Sequence, residues 1–174
     1  MNWKERLRVI RDFPKPGIGF IDITTLLGDP VAFEEAVEAM TEPLRSRGVD
    51  KVVCIESRGF LFGAPMALRL GAGLVPLRKP GKLPAKILRE EYSLEYGVDS
   101  IEMHADALRE GERVVIVDDL LATGGTAAAA ARLVERAGGR VEAMLFLVEL
   151  AFLNGREKLN GREILSIVRY DTEA

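Results

Sequence analysis

The chain has 174 residues, 48% of them hydrophobic, with 24 Lys and Arg against 27 Asp and Glu for a formal net charge of −3. That length suits one globular domain with a substantial core, and the mildly acidic balance argues against a general nucleic-acid binder. Cys54 is the only cysteine, which excludes an internal disulfide, and the most apolar late run, MLFLVELAFL, contains Glu149 and is too short to span a bilayer.

The opening MNWKERLRVIRDF is charged throughout, lacks the apolar core of a signal peptide, and reads as helix over about 2–11. Loop follows to about Gly28. Asp29 before Pro30 supplies an N-cap for a helix running to near Arg47, which Pro43 should kink or interrupt. KVVCI at 51–55 reads as a buried strand in which Cys54 is a structural thiol. A helix at 60–70 and a strand at 74–78 come next. The sequence is then polar and irregular to about residue 100, ahead of a strand at 101–105. RVVIVD is the clearest strand, and 125–137, with AAAAA at 127–131, the clearest helix, closed by Gly138 and Gly139. Strands near 141–149 and 163–169 complete the set. No repeat or low-complexity linker interrupts the chain, so 1–174 is expected to form a single domain. Continuous apolar runs alternating with helices predict an α/β fold, a mainly parallel sheet flanked by helices on both faces. A cytoplasmic protein with no membrane partner is expected.

The segment VVIVDDLLATGGT (114–126) carries the chemistry. In parallel sheets ligands bind beyond the carboxyl ends of the strands, where Asp118 and Asp119 lie. Thr123, Gly124, Gly125 and Thr126 then form a strand-to-helix turn. Its glycines admit close backbone approach, its helix end carries partial positive charge, and its threonines add hydroxyl donors. The turn is neither a Walker A loop, since no Gly-Lys-Ser/Thr follows, nor a dinucleotide fingerprint. Read alone, a glycine pair more often marks an ordinary tight turn, with Asp119 or Thr123 serving as a helix cap. The two acids change that balance. They repel a phosphate but accept hydrogen bonds from a sugar's vicinal hydroxyls, so a sugar phosphate satisfies both halves.

VVIVDDLLATGGT resembles the phosphoribosyl-pyrophosphate (PRPP) signature of type I phosphoribosyltransferases. Four further segments, DFPKPGIGFIDIT (12–24), ESRGFLFGAP (56–65), LRKPGKLP (77–84) and YSLEYG (92–97), resemble the adenine phosphoribosyltransferases of that family, in the family's order and spacing. Relatives acting on 6-oxopurines usually carry an acid where Ala122 stands. The resemblance implies transfer of the phosphoribosyl group from PRPP to adenine, giving AMP and pyrophosphate. It also implies a hood and base pocket from about 1–28 and a flexible lid over about 83–100.

Carried over by position, Asp118 and Asp119 hold the ribose 2′- and 3′-hydroxyls, and Ala122, Thr123, Gly124, Gly125 and Thr126 bind the 5′-phosphate. The resemblance implies Mg²⁺ as cofactor, held mainly by PRPP's own oxygens with no direct protein ligand. Ser57 and Arg58 belong to a pyrophosphate loop. Arg78, Lys79 and Lys82 form a second basic group, one member of which reaches into a neighbouring subunit's site, so a homodimer is expected. Read alone, RKPGKLPAKILR is a solvated charged loop. His104 is a further pyrophosphate contact. Glu95 is the acid/base group acting on the purine, with Arg58 and Arg78 stabilising charge that builds on the leaving group. Gly19, Phe20, Ile21 and Leu120 form the adenine pocket, Phe20 by stacking and Gly19 and Ile21 through backbone edges; many relatives have arginine where Ile21 stands. Displacement at the anomeric carbon develops oxocarbenium character, so the site must close against water. Two alternatives stay open from sequence: a transferase for xanthine, guanine or hypoxanthine, and a non-catalytic PRPP-sensing regulator on the same fold.

Overall fold

A computed structural model describes residues 2–16, 19–93 and 97–173. At the N-terminus Trp3–Arg6 makes a single 3-10 turn, and β1 (Arg8–Ile10) pairs antiparallel with β2 (Phe20–Asp22), Ile10 lying opposite Phe20. The helix expected over 2–11 does not form. Val9 and Ile10 are β-branched and favour the extended pairing that β2 offers over the short helix their neighbours could support. A one-turn helix, α1 (Thr24–Leu27), leads to α2 (Pro30–Thr41), where the Asp29 carboxylate accepts from the N–H groups of Val31 and Ala32. The α-helix stops at Thr41, and Pro43 sits in a 3-10 turn over Glu42–Leu44, as its missing N–H dictates.

Seven strands and two helices follow: β3 (Lys51–Ile55), α3 (Gly59–Leu70), β4 (Gly73–Leu77), β5 (Ile87–Ser93), β6 (Val98–His104), β7 (Arg113–Leu121), α4 (Gly125–Arg136), β8 (Arg140–Leu150) and β9 (Ile164–Tyr170). Five of them form one parallel sheet in the order β4-β3-β7-β8-β9. Alternate residues of the strands feed two cores. Val52, Val115, Val117 and Leu145 face Ala36 and Met40 of α2 and Phe62 and Met66 of α3. Val53, Ile116, Met144 and Phe146 face Ala130 and Leu133 of α4 together with Ile101 and Met103 of β6. Burial on both faces is why these strands read as unbroken apolar runs.

The stretch before residue 100, expected to be irregular, contains a strand pair. β5 and β6 pair antiparallel, Tyr92 opposite Asp99 and Ser93 opposite Val98. Only Tyr92 of β5 is fully buried, and Arg89, Glu90 and Glu91 keep the strand polar, so alternation was too weak to register. Glu95, the expected acid/base group, lies outside the described residues.

Candidate functional site

Strand β7 delivers the acid pair. Val114 to Val117 are completely buried, Asp118 is half-buried, and Asp119 is 5% exposed. The Asp119 N–H donates to Asp118 Oδ1 at 2.8 Å. Burial, reinforced by the neighbouring Asp119 charge, holds the Asp118 carboxyl well above the ordinary carboxylate range. Helix α3 begins directly against this pair. A Cβ on Gly59 would lie 2.8 Å from the Val117 carbonyl oxygen and 3.0 Å from Asp118 Oδ1, so only glycine lets the helix start there.

Arg58, one residue earlier, closes on the second acid, with Nε 2.5 Å from Asp119 Oδ2. The pair is not aligned as a hydrogen bond, which leaves this buried oxygen without a donor. The same guanidinium lies 5.6 Å from the Phe20 ring centroid, and Phe13 packs edge-on against Phe20 at 5.2 Å. Arg58 therefore bridges Phe20 of β2 and Asp119 of β7, joining the β1–β2 pair to the sheet. Ile21 is 3% exposed with its side chain in the core, while Gly19 and Leu120 are half-buried.

Beyond β7 the chain turns through Ala122 and Thr123 into Gly124, whose φ of +80° suits glycine, and α4 starts at Gly125. A small open cleft of about 90 Å³ is lined by Asp118 and by Leu120 through Ala127. Both threonines and the first amides of α4 border it, the arrangement that receives an anion.

The second basic group gathers on an acid that sequence reasoning did not single out. Glu56 directly follows β3, its peptide bond to exposed Ser57 being cis. Its Oε2 accepts from Arg78 Nε at 2.9 Å and the Lys79 N–H at 2.8 Å, while Oε1 pairs with Lys82 Nζ. Burial alone would raise Glu56, but these donors outweigh it and bring the carboxyl down to about 2. The Lys79 ammonium turns away to the β5–β6 pair, bonding Tyr92 Oη at 2.9 Å and Asp99. Buried Glu102 of β6 ties the same segment down by accepting the Gly81 N–H at 3.1 Å. Glu56 was visible in ESRGF as an acid beside expected cations, but not which cations it would hold. His104 ends β6 opposite Ile87, with Nε2 buried and unpartnered. Cys54 is buried, and burial pushes its thiol up to about 12, which suits a structural role. Among the described residues no group of three or more His, Cys, Asp or Glu could hold a metal ion, and no helix is long and apolar enough to cross a membrane.

Residues 27–162 match the model of the phosphoribosyl transferase domain. The chain is 55% identical over 170 residues to the adenine phosphoribosyltransferase of Desulfitobacterium hafniense, covering 98% of each. It is 58% identical over 167 residues to that of Caldanaerobacter subterraneus, covering 96% of each. Among solved structures, the adenine phosphoribosyltransferase of Thermoanaerobacter pseudethanolicus matches with a TM-score of 0.93 at 57% identity, over 96% of this chain and 97% of the other. The Saccharomyces cerevisiae enzyme, solved with an imino-altritol bisphosphate and adenine, matches with a TM-score of 0.91 at 40% identity, over 95% of this chain and 96% of the other.

Proposed function

The chain belongs to the phosphoribosyl transferase family, as one of its adenine phosphoribosyltransferases, and we propose a division of its reaction among the residues above. That reaction moves the 5-phosphoribosyl group of PRPP onto adenine, giving AMP and pyrophosphate. The observation that carries the assignment of roles is the convergence of an acid pair, a glycine turn at a helix start, a cation and an aromatic ring at one end of the sheet.

Asp118 and Asp119 accept hydrogen bonds from the ribose 2′- and 3′-hydroxyls, and the donor-free oxygen of Asp119 supports this. Binding of two hydroxyl donors favours ionised Asp118 and so releases its proton. Ala122 to Thr126 take the 5′-phosphate, with amides at the head of α4 and the Thr123 and Thr126 hydroxyls as donors. Ser57 and Arg58 meet the pyrophosphate, joined by Arg78, Lys79, Lys82 and His104. Glu56 supports that role by collecting Arg78 and Lys82 beside the Ser57 turn before substrate arrives. Cations already placed where leaving-group charge grows need no reorganisation during the reaction.

Adenine stacks on Phe20, with the backbone of Gly19 and Ile21 and the side chain of Leu120 completing its pocket. The buried Ile21 side chain supports reading through the backbone. Glu95 is the acid/base group on the purine. Magnesium, carried in mainly by PRPP with no direct protein ligand, would supply charge neutralisation for the leaving group, and the adjacent Asp118 and Asp119 carboxylates are oxygen donors compatible with such a hard cation nearby. Residues 1–28 act as the hood and 83–100 as the lid of a single domain. Exposed Leu61 and Leu68 on α3, the latter 85% exposed, and Leu74 on edge strand β4 support assembly as a homodimer. Cytoplasmic location, with no nucleic-acid or membrane partner, completes the proposal. Pyrophosphate release measured with PRPP, Mg²⁺ and each base in turn tests it: adenine should turn over far faster than guanine, hypoxanthine or xanthine. Comparable turnover of any oxopurine overturns the adenine pocket, and no turnover of any base would favour a PRPP sensor.

A further inference from the structure

Apart from Thr123 and Thr126, no side chain in the phosphate turn is larger than a methyl, so little in the turn itself holds its amides in position. Gly124 is buried, and behind it lies the backbone of Gly155, from a segment outside every motif described above. A Cβ on Gly124 would strike the Gly155 carbonyl oxygen and lie 3.2 Å from Gly155 Cα. A Cβ on Gly155 would strike the Ala122 carbonyl oxygen and lie 3.1 Å from the Gly124 nitrogen. The two backbones therefore pack directly on each other, and each glycine is required by the other.

Gly155 opens a 3-10 segment, Gly155–Leu159, that is pinned on several sides. Arg156 forks onto Glu149, Nε to Oε1 at 2.6 Å and Nη2 to Oε2 at 2.7 Å. Ser166 Oγ of β9 donates to the same carboxylate at 2.6 Å, and Arg156 Nη1 donates to the Ile164 carbonyl at 3.2 Å. The Glu149 side chain is 3% exposed and stands beside Leu121 in the β7–β8 register, one residue before the turn begins. Leu159 is fully buried in the core under α4. Glu149 is buried while the Arg156 side chain stays 42% exposed, so the fork satisfies a buried carboxylate and fixes where Gly155 sits more than it adds net stability.

We propose that residues 154–159 form a backing strut for the 5′-phosphate turn, with Gly155 and Arg156 as positioning residues for PRPP. The proposal rests on the reading of Ala122 to Thr126 as the phosphate site. Misplacement of a preorganised donor array by about 1 Å reduces function about 10²-fold. Gly155→Ala must displace Ala122 or Gly124 and should weaken ribose 5-phosphate binding in calorimetry, and raise KM for PRPP, by about 10- to 100-fold. KM for adenine should stay within about twofold, because the hood is untouched. Arg156→Met should weaken ribose 5-phosphate by about 5- to 20-fold, and Arg156→Lys should recover part of that loss. Arg69→Met, which removes the pairs to Glu34 and Glu38 between α3 and α2, away from residues 154–159, should lower Tm and leave KM for PRPP unchanged.

Wild-type affinity for ribose 5-phosphate in folded Gly155→Ala overturns the strut, as does an equal rise in both Michaelis constants. Should that variant not fold, Arg156→Met decides: a lower Tm with unchanged ribose 5-phosphate affinity reduces the segment to ordinary scaffolding. Thr126→Ala measured alongside separates the two levels. If it weakens binding while the strut variants do not, the strut fails and the phosphate reading stands. If none of the variants moves the affinity, the phosphate reading itself fails and the strut falls with it.

Discussion

Replacing Asp118 by Asn removes one ionisable group from the acid pair and keeps its shape, including the Oδ1 that accepts the Asp119 N–H at 2.8 Å. In the native protein, burial and then the Asp119 charge raise the Asp118 carboxyl, so the folded chain holds a proton that the unfolded chain releases. Folding stability from this site therefore falls as pH rises above the ordinary carboxylate value of about 4, and levels off above the raised folded pKa. Asn has nothing to titrate. The variant should match the native protein in acid and gain stability as pH rises towards neutrality. Relief of a strained functional site is worth about 0.5–2 kcal/mol, and each kcal/mol moves Tm by about 2–4 °C in a domain of this size. The same change should weaken PRPP binding, since losing a hydrogen bond to a charged acceptor costs about 1.5–3 kcal/mol, roughly 10- to 150-fold in affinity. Thermal melts across pH 4–8 measure the first effect. Calorimetry in two buffers of different ionisation enthalpy measures the second, along with the proton that native protein should release on binding PRPP at pH values below the raised pKa. The reasoning fails if the Asn variant is less stable throughout, if its advantage does not vary with pH, or if PRPP affinity is unchanged.

The parallel sheet and the acid pair were legible because both are written locally. Strands buried on two faces must be apolar at every position, and the sugar-phosphate logic of Asp118 to Thr126 needs only one strand, one turn and one helix start. What stayed hidden depends on partners distant in the chain. Val9 and Ile10 extend because β2, ten residues on, offers them a ladder, which no periodicity within 2–11 encodes. The charged β5 strand escaped because Arg132 and Arg136 of α4 pair with Glu90, a contact that leaves no apolar pattern. Glu149 was noticed only as an acid interrupting MLFLVELAFL; its meaning required Arg156, Ser166 and the register with Leu121 together. Local chemistry marked the acid pair and the glycine turn, and tertiary chemistry holds both in place.

Thr126→Ala should weaken PRPP binding at least tenfold through loss of a hydroxyl donor worth about 1.5–3 kcal/mol. Gly125→Val should fold, because a Cβ there meets only Ser93 and Tyr92 at an ordinary 3.6 Å, yet should block close approach of the phosphate; native PRPP affinity in a folded variant would make the turn merely a turn. Glu56→Gln removes a carboxylate lowered from 4.5 to about 2, whose contribution is complete above its unfolded value and lost as pH falls through the folded one. That shift corresponds to about 3 kcal/mol at most, and solvent around the partly exposed Arg78 and Lys82 reduces it to about 1–2. The variant should melt lower at neutral pH, with the gap closing below about pH 4, and a pH-independent gap would contradict this. Arg78→Ala should raise KM for PRPP and slow turnover, whereas Glu95→Gln should cut turnover by about 10²–10⁴ with PRPP binding nearly intact. If Arg78 serves the partner's site, a heterodimer of these two variants has one site with both groups native and one with both altered. Refolded mixtures should then regain activity, whereas an arginine acting within its own subunit leaves a defect in every site. Mixtures verified to contain heterodimer that stay as inactive as their parents rule out the shared site.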